Sequence, residues 1–289
     1  MRFELTDDQR DFADSLERLL AGADTAKVAR AWAAGDHEPG LRLWDRLAEL
    51  GVTSLAADDT PVELCLAFEA LGRHGVPGPW VESVAYLGRE HGIATVALPP
   101  LVPLALDADI ADEVYVGTNL VSDVGVLHTS VDRTRRLFEV RGVETGASAP
   151  SSTTGEAFDR AVLAVSAQLL GCGERVLSDS VTYAKQRTQF GREIGSYQAI
   201  KHALADVRIA LDFVRPLVYA AALGEITPSA AKVAAGDAAY LASRTGLQVH
   251  GAIGYTAELD LSLWLTKIRA LVTAWGTPAV HRQRVLESL

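Results

Sequence analysis

Apolar residues recur at three- and four-residue steps through the first third and the second half of this chain, and fall into short runs between them. That pattern predicts helices, then strands, then helices again. Thr6 with Gln9 three residues on makes a capping box, followed by Phe12, Leu16, Leu19 and Leu20 on one helical face. A second helix carries Leu43, Trp44, Leu47 and Leu50 and stops at Gly51. Thr60, Pro61 and Glu63 read as N-cap, first-turn proline and reciprocal glutamate of another, running through Leu64, Cys65, Phe68 and Leu71 to Gly72. Val76-Pro77-Gly78-Pro79 breaks the chain, and Trp80 to Leu87 begins a further helix. Residues 1–92 are expected to form a helical domain with no catalytic constellation.

From Ile93 the runs shorten to Ile93–Leu98, Val114–Val116, Gly125–Leu127 and Leu137–Val140, rich in Val and Ile and divided by Pro99-Pro100, Asp-rich turns and glycines. These read as strands of a reduced β domain, residues 93–150. His128, a lone histidine in a strand, reads as structural rather than as a ligand. Thr145 to Gly155, rich in Ser, Thr, Ala and Gly, reads as a linker.

Residues 151–289 carry the longest periodic segments. Phe158 to Gln189 is one helical pattern, with Gly171 and Gly173 allowing a neighbouring helix to approach. Gly191 is placed to stop it, and Ser196 to cap a second helix through Ile200, Ala203, Leu204, Val207, Leu211 and Val214. Pro216 should kink that helix. Thr227-Pro228 starts a third that ends near Gly251, and a fourth runs from Glu258 to Trp275. Short loops make this an antiparallel four-helix bundle, so the expected fold is mostly α with a small β section.

Composition narrows the function classes. With 289 residues, 48% hydrophobic and 22% charged, the chain is globular rather than disordered. A net charge of −10 argues against nucleic acid or an anionic membrane as the main partner. A nucleotide cofactor stays open, because local arginines and backbone N–H groups decide its binding. Cys65 and Cys172 lie in apolar helical runs, which suggests buried free thiols in a reducing cytoplasm, and no metal-ligand spacing involves them. The acidic start lacks a signal-peptide core and no stretch reads as a membrane span, so a cytoplasmic location is expected. Neither G-x-G-x-x-G nor a P-loop occurs.

The candidate chemistry begins at Arg187-Thr188-Gln189-Phe190-Gly191, a cation beside an aromatic ring at a helix end. Taken alone, that is a solvated arginine and a core phenylalanine. The longer stretch YAKQRTQFG, followed by IGSYQAIKHALAD, resembles the opening of the C-terminal helical domain of the acyl-CoA dehydrogenases, which are FAD enzymes. Gln248-Val249-His250-Gly251-Ala252-Ile253-Gly254-Tyr255 resembles the family's Q-x-x-G-G-x-G-[FY] loop, with Ala252 replacing one glycine. The resemblance implies that Arg187 and Phe190 reach across a subunit interface to a neighbour's FAD. It implies that Gln248, Gly251 and Gly254 approach the same cofactor, and it adds Thr277 to the flavin contacts. A guanidinium suits phosphate oxygens, and glycines let backbone N–H groups come close to an anion.

The sequence also departs from the family. The β section is about half the size expected for the family and carries none of its threonine- and tryptophan-containing flavin motifs. Many relatives place a glutamate base before a Gly-Thr pair, but here Trp275 precedes Gly276-Thr277. Another branch places its base at the start of the long first bundle helix, and the matching residue is Asp159, followed by Arg160. Shortened chains of this kind resemble the partner subunits of heteromeric acyl-CoA dehydrogenases known from bacterial steroid breakdown. That resemblance implies a full-length partner in an α2β2 heterotetramer and an acyl-CoA substrate. A self-sufficient enzyme with Asp159 as base, and a helical scaffold without flavin, remain the alternatives at this stage.

Overall fold

The computed structural model describes residues 4–148 and 154–288. Helix α1, Asp7–Ala21, opens on the expected capping box: Thr6 Oγ1 accepts from the Gln9 N–H at 3.2 Å, and Gln9 Oε1 accepts from the Thr6 N–H at 3.0 Å. Helices α2 (Thr25–Ala33), α3 (Glu38–Glu49) and α4 (Pro61–His74) follow. The short helix α2 was not anticipated from the sequence, yet its Val28, Ala29 and Trp32 are buried. The box expected at α4 does not form. Thr60 Oγ1 donates to the Leu55 carbonyl, and Glu63 accepts from the Gln9 side-chain amide at 3.1 Å, so the glutamate links α1 to α4. Val81–Tyr86 is a single π-helical turn, and its glutamate, Glu82, is buried.

Five strands make a mixed sheet: β1 (Ala94–Ala97), β2 (Ala105–Leu106), β3 (Glu113–Val116), β4 (Asn119–His128) and β5 (Leu137–Ser148), in the order β1-β3-β4-β5-β2. Only the β1–β3 pair is parallel. The first part of the expected linker belongs to β5, while residues 149–153 lie outside the described segments. His128 faces Glu139 across β4 and β5 at 2.9 Å, a structural pairing as expected.

The second half builds on α5 (Thr154–Gln186), joined by α6 (Gln198–Ala222), α7 (Pro228–His250), α8 (Leu261–Leu271) and α9 (Pro278–Glu287). Helix α6 runs on through Pro216, α8 is shorter than expected, and α9 is an additional helix. One hydrophobic core runs from Leu16 of α1 through α4 and α5 to Ile268 of α8, so the front helices and the bundle share an interior. Two glycines set the α4–α5 approach. A Cβ on Gly72 would overlap the Gln168 carbonyl, and one on Gly171 would overlap the Glu69 carbonyl. Contrary to expectation, Gly155–Gln186 is long and apolar enough by composition to cross a membrane, but 83% of its apolar window is buried against the rest of the protein. Cys65 and Cys172 are free and buried, and burial pushes the Cys172 thiol up to about 12.

Candidate active site and cofactor contacts

The two motifs meet at one end of the bundle. Helix α5 stops at Gln186, and the chain turns back through a two-stranded hairpin, β6 (Thr188–Gln189) with β7 (Arg192–Glu193). Phe190 and Gly191 form its tip with φ of 52° and 80°, the left-handed pair that a mirror-image two-residue turn requires. Gly191 therefore turns a hairpin rather than stopping a helix. Ser196 is not the cap of α6 either: that place is taken by Tyr197, and Ser196 Oγ donates to the Glu193 carbonyl at 2.7 Å. The hairpin leaves the Phe190 ring 93% exposed, so it is not a core residue of this chain. The Arg187 side chain is exposed too, with no hydrogen bond or ion pair among the described residues.

Beside the hairpin, α7 ends at His250, whose ring stacks on Tyr183 of α5 at 4.3 Å. Gln248 is exposed on this last turn. Gly251 follows with φ of 61°, and nothing lies within 4 Å of where a Cβ would stand. Gly254 is buried in the 3₁₀ turn Gly251–Tyr255, packed against Leu247 and His250. Arg187, Phe190, Gln248 and Gly251 thus share one end of the bundle, with an exposed ring and a cation that has no partner among the described residues; the Gly251 N–H itself donates to the Leu247 carbonyl.

The other candidates lie at the opposite end of α5. Twenty-eight positions separate Asp159 from Arg187, which at 1.5 Å per residue is roughly 40 Å. Asp159 sits beyond the first turn of α5, not at its start, and its carboxylate is held by Arg284 of α9 at 2.7 Å. Trp275, in the turn between α8 and α9, is 1% exposed with φ of 58°. Its ring lies against Tyr86 at 5.1 Å and Phe158 at 5.8 Å. The indole N–H donates to Glu82 Oε1 at 3.2 Å. His281 Nε2–H donates to the Trp275 carbonyl at 3.0 Å, and its Nδ1 accepts from Ser229 Oγ at 3.0 Å. Burial and the nearby Lys232 pull the His281 imidazole down to about 4, which keeps it neutral in this role. Thr277 caps α9, accepting from the Val280 N–H at 3.4 Å.

Glu82 was missed from sequence; a carboxylate in the apolar run Val81–Tyr86 was its signal. It and Asp107 are both buried, each with one oxygen lacking a hydrogen-bond partner. Burial raises both carboxyls, against the charge of Arg135, and takes Asp107 to about 7 from an ordinary 3.8. Asp107 then keeps its proton in the folded chain where the unfolded chain has released it. Its stabilising contribution is full below pH 3.8 and is lost as pH rises through about 7. Asp107→Asn is expected to remove that part of the pH dependence, measured as urea midpoints at about pH 4 and 7. An unchanged difference between the two midpoints would contradict it.

A cleft of about 410 Å³ borders Trp275, walled by Leu101, Val102, Leu104 and Leu137. Among the described residues lining it are Arg135 and Arg269 and no carboxylate. A second cleft, about 830 Å³, adjoins it and shares Val131 and Arg269. No group of three or more metal-ligating side chains occurs among the described residues.

Comparison with known proteins bears on the fold and the family. Residues 152–289 fit the model of the acyl-CoA dehydrogenase C-terminal domain. The fold is similar to that of the ChsE4-ChsE5 complex from Mycobacterium tuberculosis (TM-score 0.79, 19% identity, 99% of this chain and 98% of that one). It is likewise similar to the Tcur3481-Tcur3483 steroid ACAD G363A variant (TM-score 0.78, 19% identity, 97% of each chain). Over 288 aligned positions the sequence is 30% identical to acyl-CoA dehydrogenase IpdE2 of M. tuberculosis, covering 88% of both chains. On that extent of identity, the chain belongs to the acyl-CoA dehydrogenase family.

Proposed function

We propose that this chain is one subunit of a heteromeric FAD-dependent acyl-CoA dehydrogenase, and that it contributes to a flavin site whose base comes from a partner subunit. One observation carries the reading: the place where relatives hold a base is filled by the buried, hydrogen-bonded indole of Trp275. Dehydrogenation needs a carboxylate within about 2.6–3.2 Å of the α-proton of the thioester. An indole N–H accepts no proton. Asp159 is engaged with Arg284, roughly 40 Å along α5 from the exposed contacts, so the two ends serve different centres.

FAD is the cofactor of this family, and it supplies the acceptor for the β hydrogen. The residues present fit part of it: Arg187, without a partner among the described residues, can pair with a phosphate or ribityl oxygen, Phe190 offers an open ring, and Gly251 puts no side chain in the way, its own N–H being bonded to the Leu247 carbonyl. The Arg187 and Phe190 side chains are exposed, as contacts to a neighbouring subunit's cofactor would be. The two-protein ChsE4-ChsE5 neighbour supports heteromeric assembly, here taken as α2β2. The steroid ACAD neighbour supports a steroid-derived acyl-CoA as substrate.

Arg187→Ala is expected to weaken flavin binding in the assembled complex by about 10- to 150-fold, the loss of one charge-assisted hydrogen bond or pair. Arg187→Lys restores only part, since a point charge does not reproduce the planar fork. Flavin titration measures both, and unchanged affinity in either variant would make Arg187 a plain surface residue. Asp159→Asn is expected to lower turnover of the complex by less than about tenfold, because its role is the Arg284 ion pair rather than proton transfer. A loss of several orders of magnitude with flavin content intact would make Asp159 the base.

A further inference from the structure

Two rings join the segments that carry the motifs. The His250 imidazole, at the last position of α7, stacks on the Tyr183 ring of α5, with centroids 4.3 Å apart and planes inclined by 26°. Tyr183 stands one turn before the hairpin, and its carbonyl accepts the Arg187 N–H at 2.8 Å. The return leg of the hairpin packs on that same turn. The Ile194 N–H donates to the Arg187 carbonyl at 2.8 Å, and a Cβ on Gly195 would stand 2.9 Å from the Ala184 carbonyl oxygen.

His250 is anchored just as firmly on its own side. It is 6% exposed, and its Nδ1–H donates to the Gly246 carbonyl at 2.8 Å, which fixes the plane of the ring. Gly246 is itself pressed against α5, where a Cβ would meet Val176 Cγ1 at 2.6 Å. The turn Gly251–Tyr255 folds back onto the histidine, so that a Cβ on Gly254 would stand 3.2 Å from His250 Cβ. The Tyr183 hydroxyl makes no hydrogen bond among the described residues, so its contribution is the face of the ring.

We infer that Tyr183 and His250 are positioning residues: their stack holds the Arg187–Phe190 hairpin and the Gln248–Gly254 segment in one fixed relation. Both segments then meet a flavin without further ordering, which lowers the cost of binding. That flavin role rests on the function proposed above, whereas the coupling of the two segments belongs to this chain alone. Hydrogen exchange read by mass spectrometry tests the coupling in the 289-residue chain without flavin. Tyr183→Leu keeps apolar bulk and removes the ring. It is expected to speed exchange about three- to tenfold at Arg187–Ile194 and also at Gly251–Tyr255, which follows the other helix. His250→Ala is expected to speed exchange in the hairpin to the same extent, and Tyr183→Phe, which retains the ring, to restore the parent's protection. Exchange in α4 should stay at the parent's rate throughout. In the assembled complex, flavin titration should show binding weakened about three- to tenfold by Tyr183→Leu and restored by Tyr183→Phe. Loosening confined to the substituted residue's own segment, shared equally by α4, or as large in Tyr183→Phe as in Tyr183→Leu would overturn the inference. Loosening of both segments with flavin affinity unmoved would sustain the coupling and refute the flavin role proposed for them.

Discussion

Replacing Trp275 by alanine is expected to lower the unfolding free energy by about 3–5 kcal/mol, the range for emptying a buried aromatic site. The ring is 1% exposed and closes the space between Tyr86 and Phe158. Its loss also leaves the buried Glu82 carboxyl without the donor at 3.2 Å, with the other Glu82 oxygen already unpartnered. Trp275→Phe separates the two contributions: it keeps most of the volume and removes only the N–H, for about 1–3 kcal/mol. Urea midpoints read both. Trp275→Glu, which restores the relatives' residue type, is expected to destabilise the chain without creating activity, because it sets a second carboxyl against Glu82. A stable Trp275→Ala chain would mean that the indole is not a structural plug, and would count against the proposal that a partner supplies the base.

Gly171→Ala is expected to be comparably damaging for a different reason. The added Cβ overlaps the backbone carbonyl of Glu69 rather than a flexible side chain, so α4 and α5 must part. Overpacking of this kind costs about 1–3 kcal/mol and more where backbone has to move. The loss should appear in thermal unfolding. It should also loosen the ion network that bridges the same helices, in which Arg215 of α6 joins Glu69 at 2.7 Å and Glu174 at 3.0 Å. A midpoint equal to the parent's would show that the two helices have room that the structure denies.

The long periodic helices were legible because each buries a stripe against a common core, and α5 and α7 appear close to where their apolar spacing put them. Glycine at position 171 was read correctly as a close-approach residue for a backbone neighbour. What failed was local. Thr60 and Glu63 spell a capping box, but tertiary partners at Leu55 and Gln9 compete for both side chains. Gly191 looks like a helix stop, yet with Phe190 it makes a hairpin, because a positive φ serves either structure. Position 159 reads as a helix start, but its carboxylate answers to Arg284, 125 residues away. Conversely, the exposed end with Arg187 and Phe190 was found through motif resemblance, and the structure adds what no motif holds: both side chains are exposed, and Arg187 has no partner among the described residues.

The central claim is that this chain lends contacts to a flavin site and lacks a base of its own. The most direct measurement is flavin content and acyl-CoA dehydrogenation for the chain purified alone, set against the chain co-purified with a full-length family partner. The account predicts little bound flavin and no turnover alone, with both appearing on co-assembly at fewer than one flavin per chain. An isolated preparation holding one flavin per chain and oxidising an acyl-CoA would contradict it.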